Sequence, residues 1–281
     1  MISMTSERIG FLRIKKLTSA VPLKYSCLDK DFMKAFYYIF SVFYWVGIVG
    51  LTSVLFFPVA AVIKGLTFLF DKNLKILHMF TSFWGSIYTW VNPLWNVKTE
   101  GREKIRKDGV YVAVSNHFST TDVFTVYRLF FHFKWVSKSE NFKIPLIGWN
   151  MTLNRYIRLN RGSTKGNAQM MKDAEAALRQ GSSVYIFPEG TRSTTNEVKE
   201  FKTGAFELAK RTKSPILPIV IEGSQNALPK KGVILNGRHN ILIRVLDEIP
   251  YTEFEHLESA EIAEKVRALI AGELSKIHHP G

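Results

Sequence analysis

The sequence predicts an α/β domain, its sheet covered by helices, behind an N-terminal membrane-embedded helical region. Residues 35–63, AFYYIFSVFYWVGIVGLTSVLFFPVAAVI, carry no charged side chain. After about residue 97, short β-branched runs alternate with stretches of helical period. Those runs are nearly all apolar, as strands buried on both faces are.

The apolar segment comes first, and about 20 such residues are enough to cross a bilayer as a helix. The mostly polar residues before it are too many for the short basic start of a cleavable signal peptide, so the segment is expected to be retained as an anchor. A second stretch, ILHMFTSFWGSIYTWVNPLWNV (76–97), is less apolar and carries Trp84, Tyr88, Trp90 and Trp95. Aromatics of this kind favour the headgroup boundary. Lys64, Lys72 and Lys75 lie between the two, and a full crossing would carry them to the far side against the positive-inside tendency. A helical hairpin entering only the cytoplasmic leaflet avoids that, with a true span as the alternative.

The remaining elements follow in order. VYVAVS (110–115), FKWVS (133–137), YIRLN (156–160), SVYIF (183–187), ILPIVI (216–221) and NILIRVL (240–246) read as strands. Between them, AQMMKDAEAALRQ (168–180) reads as a helix stopped by Gly181. A final helix aligns Ile262, Val266, Leu269, Ile270 and Ile277 on one face. With no low-complexity linker, the division falls into an N-terminal arm and membrane-associated helical hairpin over 1–97 and a catalytic domain over 98–281.

Charge and cysteine content narrow the function. The formal net charge of +14 suits nucleic acid, an anionic membrane or an anionic substrate. No zinc-finger spacing, ribonucleoprotein motif or long basic helix is present, and the charge adjoins an apolar segment, so anionic lipid is the expected partner and nucleic acid is not. Cys27 is the only cysteine, which rules out an intrachain disulfide and fits a reducing, cytoplasmic setting. No His, Cys or acid cluster has metal-ligand spacing, so no metal is expected.

Two turns carry the chemistry. VYVAVS runs straight into NHFSTTD, where His117 and Asp122 are five positions apart and an apolar helical stretch follows. The pair therefore sits at a strand's carboxyl end, where open α/β sheets bind ligands. A neutral imidazole can take a proton from an alcohol while a carboxylate on its other nitrogen fixes the tautomer and stabilises the cation. Taken alone, the pair is better read as a helix-capping, structural hydrogen bond. SVYIF then runs into PEGTRS, which places Glu189, Gly190, Thr191 and Arg192 at a second carboxyl end. Gly190 allows close backbone approach, and Arg192 offers a planar fork to phosphate oxygens.

NHFSTTD and FPEGTRS resemble the first and third sequence blocks of the glycerolipid acyltransferases that include 1-acylglycerol-3-phosphate acyltransferase. Between them, SKSENFKIPLIGW resembles the K-x-E-x-x-x-x-P-x-x-G stretch of that family, with Lys138, Glu140, Pro145 and Gly148 in place. YIRLNRG resembles the second block, ending in Arg161, and ILPIVIEG the fourth, with Pro218. The likeness covers roughly residues 98–225. Asn160 stands where aspartate is common in the family, and Phe118 where glutamine is common.

The resemblance implies a glycerol-3-phosphate acyltransferase-like fold, a mixed sheet flanked by helices. It implies His117 as general base and Asp122 as its orienting partner. Arg161, Glu189, Gly190, Thr191 and Arg192 would bind the acceptor, with Lys138 adding to the phosphate site. The implied reaction moves a fatty acyl group to the sn-2 hydroxyl of 1-acyl-sn-glycerol 3-phosphate, giving phosphatidic acid. Acyl-CoA or an acyl carrier protein thioester serves as co-substrate, with no cofactor. Another acceptor, glycerol 3-phosphate or a different lysolipid, is the alternative within the class; a non-catalytic membrane lipid-binding protein is the alternative outside it. The catalytic domain is expected at the membrane, on the cytoplasmic face.

Overall fold

The computed structural model describes residues 27–281 apart from 194, 196, 229–232 and 279–281, with side chains from Phe32 onward. The expected polar arm up to residue 26 and the Cys27 side chain lie outside the described residues. The chain divides into two units, Met1–Phe36 and Tyr37–Gly281. Of the first, the described part is the beginning of a helix.

That helix, α1 (Cys27–Val42), leads through a π-helical stretch, Phe43–Gly50, into α2 (Leu51–Thr67). Over Phe32–Thr67 it is long and apolar enough to cross a membrane. Its hydroxyls spare themselves a water partner: Thr52, Ser53 and Thr67 donate to the carbonyls of Ile48, Val49 and Ile63 at 2.7, 2.6 and 2.8 Å. Asp71 then starts α3 (Lys75–Trp90) by accepting the Lys75 and Ile76 N–H groups at 2.8 Å each.

α3 corrects the expectation for residues 76–97. Leu77, Trp84 and Tyr88 are buried in the domain core, and Tyr88 and Trp84 share a hydrogen bond of 2.5 Å. The stretch therefore packs into the domain core, while Ile76, Phe83, Trp90 and Val91 keep apolar side chains outward. Its aromatics are explained by packing, since large rings bury much surface and a polar atom on each finds a partner.

The sheet has seven strands in the order β1-β7-β6-β2-β5-β3-β4, comprising β1 (Trp95–Glu100), β2 (Val112–Ser115), β3 (Phe133–Lys138), β4 (Ile157–Leu159), β5 (Ser183–Ile186), β6 (Ile216–Glu222) and β7 (His239–Val245). All neighbours are parallel except β6 and β7, so the sheet is mixed, as expected. β1 is the strand the apolar pattern did not reveal. It pairs with β7 from Trp95 onward, so the sheet begins before the boundary drawn at residue 97.

Alternation along the strands builds two cores. Tyr111 and Ala113 join Phe133, Trp135 and Tyr185 on the face covered by α3 and by α4 (Thr121–Tyr127). Val112 and Val114 join Val184 and Ile216 on the opposite face. There α6 (Thr164–Arg179), α7 (Gly204–Thr212) and α8 (Ser259–His278) supply Leu178, Phe206 and Val266. This period of two is the geometry of a pleated strand. α5 (Ile147–Leu153) packs against α2. Because β2, β5, β3 and β4 all run parallel, their carboxyl ends share one edge of the sheet, and the loops that follow them gather there.

Candidate active site

β2 ends at Ser115, and the next residue anchors the turn. Asn116 donates to the Ile221 carbonyl at 2.6 Å and accepts the Ile221 N–H at 2.9 Å, tying the turn to β6. His117 follows, its Nδ1 2.8 Å from Asp122 Oδ2. The same oxygen accepts the N–H groups of Phe118 and Ser119 at 2.8 Å each. Asp122 is completely buried in the first turn of α4. One carboxylate therefore both holds the imidazole and caps the helix start.

The imidazole stacks on Phe187, the ring centroids 3.9 Å apart with 15° between planes. Nδ1 is engaged by Asp122, and Nε2 has no partner among the described residues. The side chain is 15% exposed, enough to meet a ligand from solvent.

The second turn is laced to the first by backbone. Glu189 Oε1 accepts the His117 N–H at 2.7 Å, and the Ser193 N–H donates to the His117 carbonyl at 2.8 Å. Arg192 Nη1 donates to Thr120 Oγ1 at 3.0 Å, and the Arg161 guanidinium donates to the Gly190 carbonyl. Lys199 Nζ donates to the Arg192 carbonyl at 3.1 Å. Gly190 has φ +70°, a left-handed backbone conformation that favours glycine.

His117 thus contacts Asp122 and Glu189 directly, Arg161 contacts Gly190, and Arg192 is tied to the first turn through Thr120. Thr191 is exposed on the turn itself. Lys138 is the last residue of β3 and exposed at the same sheet edge. Asn116, Phe187 and Lys199 were not singled out by sequence. Only Asn116 had a usable signal, an amide directly before the histidine at a strand end. Among the described residues no group of three or more His, Cys, Asp or Glu side chains gathers to hold a metal.

Burial pushes the Glu189 carboxyl from 4.5 up to about 7; the N–H groups of His117 and Lys199 oppose the rise and Asp122 adds to it. Between pH 4.5 and about 7 the folded chain keeps a proton that the unfolded chain has released. Unfolding free energy therefore falls as pH rises through that window, by roughly 3 kcal/mol in all at ~1.4 kcal/mol per pH unit. Glu189→Gln, neutral at every pH, is expected to flatten this fall. Its stability should match the parent at pH 4 and exceed it at pH 8 in denaturant titrations. Parallel curves for the two proteins would contradict the assignment.

Residues 96–222 match the family model described as Acyltransferase. The chain is 34% identical over 179 residues to a chloroplastic 1-acyl-sn-glycerol-3-phosphate acyltransferase of Arabidopsis thaliana, covering 62% of this chain and 50% of the relative. It is 33% identical over 187 residues to the 1-acyl-sn-glycerol-3-phosphate acyltransferase of Saccharomyces cerevisiae, covering 65% and 61%. The chain thus spans about half to three fifths of these relatives. In fold it resembles the crystal structure of the 1-acyl-sn-glycerophosphate acyltransferase PlsC from Thermotoga maritima, at a TM-score of 0.62 and 21% identity, over 83% of this chain and 97% of that one.

Proposed function

We propose that the protein transfers a fatty acyl group from a thioester to the sn-2 hydroxyl of 1-acyl-sn-glycerol 3-phosphate, giving phosphatidic acid. The observation that carries this reading is the His117–Asp122 bond of 2.8 Å, with Arg161 held by the Gly190 carbonyl and Arg192 by Thr120 on the two turns at the same sheet edge. The names of the matched relatives support the choice of acceptor.

The acceptor hydroxyl attacks the thioester carbonyl as His117 Nε2 takes its proton. A C–O bond forms, the carbonyl becomes an oxyanion, and Asp122 stabilises the imidazolium. Collapse breaks the C–S bond, and the imidazolium returns the proton to the departing sulfur. The thioester carrier is acyl-CoA or an acyl carrier protein. For the oxyanion, the Gly190 N–H is already spent on the Phe187 carbonyl at 3.0 Å. The Thr191 N–H has no partner among the described residues and is the donor assigned here.

The protein works at a membrane. Tyr44 donates to the Tyr88 carbonyl at 2.7 Å, Ser41 Oγ accepts the Leu235 N–H at 2.7 Å, and Ala60 is fully buried. The helix is docked on the domain along much of its length, while Val46, Leu51, Val54, Leu55 and Val62 stay exposed. A helix held on one side in this way lies in the plane of a single leaflet, apolar face inward. That placement favours leaflet insertion over a full span, and the excess of basic side chains suits a domain on the cytoplasmic face. Acceptor and product then move laterally while a soluble thioester arrives from the water.

The test is the purified protein in lipid, assayed with long-chain acyl-CoA and acyl carrier protein donors against lysophosphatidic acid, other lysolipids and glycerol 3-phosphate. Preference for glycerol 3-phosphate or another lysolipid would replace the proposed acceptor. In the same assay Arg192→Ala is expected to raise the KM for the phosphate-bearing acceptor by about tenfold or more, the value of a charge-assisted bond. The thioester KM should hardly move; equal losses for both would remove the phosphate role of Arg192.

A further inference from the structure

A cavity of about 450 Å³ opens beside β4, well within the ~300–1,000 Å³ of small-molecule sites. Its lower part lies at the amino ends of β3 and β4, the opposite edge of the sheet from His117, and its upper part reaches Asn160 along β4. Lys72, Lys134, Arg155 and Arg158 line it, against Asp173 as the one acidic side chain.

Lys134 is the unusual member. It is 5% exposed, and its ammonium donates to the carbonyls of Asn73 and Asn154 at 2.8 Å each, leaving a third donor. Among the described residues no carboxylate pairs with it. Asp71 is nearby, but its two oxygens accept the Lys75 and Ile76 N–H groups. Burial, and the charge of Arg155 beside it, bring the Lys134 ammonium down to about 7. A buried cation held only by carbonyls is costly, and an anion in the cavity would relieve that cost.

The neighbours have the same character. Lys72 and Arg155 are exposed and make no ion pair among the described residues. Asp173 is occupied by the Gln169 amide at 2.8 Å. Arg155 has φ +53°, a left-handed conformation in which glycine would be the unstrained choice after a helix. An arginine kept there puts a guanidinium at the cavity. Phe68, Leu69 and Phe70 directly precede this cluster in the chain and are all exposed, at 65%, 74% and 70%. Apolar side chains that enter the acyl region bring the basic residues after them to headgroup depth.

We propose that this cavity is a second phosphate site, separate from the catalytic edge, which takes the phosphate of a phospholipid headgroup. Lys72, Lys134 and Arg155 supply the donors, and Phe68 to Phe70 hold the mouth at the bilayer surface.

The test uses the full chain in detergent carrying Arg192→Ala, which weakens any phosphate at the catalytic edge and leaves this cavity intact. It is titrated by calorimetry with dihexanoyl phosphatidic acid, with and without Lys72→Ala and Arg155→Gly. Both substitutions are at exposed positions, and glycine accepts the left-handed backbone, so the fold is retained. Loss of the two cations is expected to weaken binding by about tenfold or more. Unchanged affinity, or no binding before the substitutions, would overturn the site. Inorganic phosphate provides the second arm. Weak competition supports a lipid headgroup, whereas competition at the concentration of the lipid itself would overturn the headgroup assignment in favour of a soluble phosphate. None of these readings depends on turnover, so they stand apart from the acyl-transfer reading.

Discussion

Replacing His117 by alanine is expected to remove acyl transfer while leaving a folded protein. General-base help of this kind is worth ~10² to 10⁴ in rate, and no other side chain within the contacts of the turn offers a neutral base to take over. The fold should tolerate the change. Asp122 Oδ2 keeps the Phe118 and Ser119 N–H groups at 2.8 Å, so the start of α4 remains capped. What is lost is one hydrogen bond and a ring stacked on Phe187, on the order of 1–2 kcal/mol. The measurement is turnover with lysophosphatidic acid and acyl-CoA beside thermal unfolding. Added imidazole, entering the space left on Phe187, should restore part of the rate. Normal turnover by a folded variant would end the proposed mechanism.

The contrast between what sequence showed and what it hid is physical. β2, β5 and β6 were legible because both of their faces are covered, which forces apolar runs, and β7 because its buried positions alternate with partly exposed ones. β1 was not. In WNVKTE only Trp95 is buried, so the strand has no hydrophobic signature and exists through its pairing with β7. α3 misled for the opposite reason. Its rings suit a membrane interface and a protein core equally, and composition does not say which surface meets them.

The candidate residues were legible as two short motifs at strand ends, but what joins them was not. The bonds from the His117 N–H to Glu189 and from the Ser193 N–H to the His117 carbonyl depend on β2 and β5 lying side by side. Residue order contains no such adjacency. Phe187 went unnoticed because an aromatic at the end of a buried strand reads as core, yet it supplies the surface on which the imidazole lies. The basic cavity beside β4 draws on α2, β3, β4 and α6 neighbours spread across the chain, and no local pattern announces it.

Asp122→Asn separates orientation from charge. The amide oxygen can keep accepting the Phe118 and Ser119 N–H groups, and α4 starts as before. The same oxygen still accepts from Nδ1 of a neutral imidazole, so the ring stays in place. The imidazolium that forms as the acceptor loses its proton then faces a dipole where it had a buried anion. Nδ2 replaces Oδ1, an atom with no partner in the structure, and adds an unsatisfied donor but no new clash. The variant should lose a factor on the order of 10² to 10⁴ in kcat, with both KM values nearly unchanged. A merely structural Asp122 would instead lower stability and disturb KM. The decisive measurement is the double variant with His117→Ala. If the carboxylate acts through the imidazole, the pair together is no slower than His117→Ala alone, whereas multiplied losses would show that Asp122 serves the reaction by some other route.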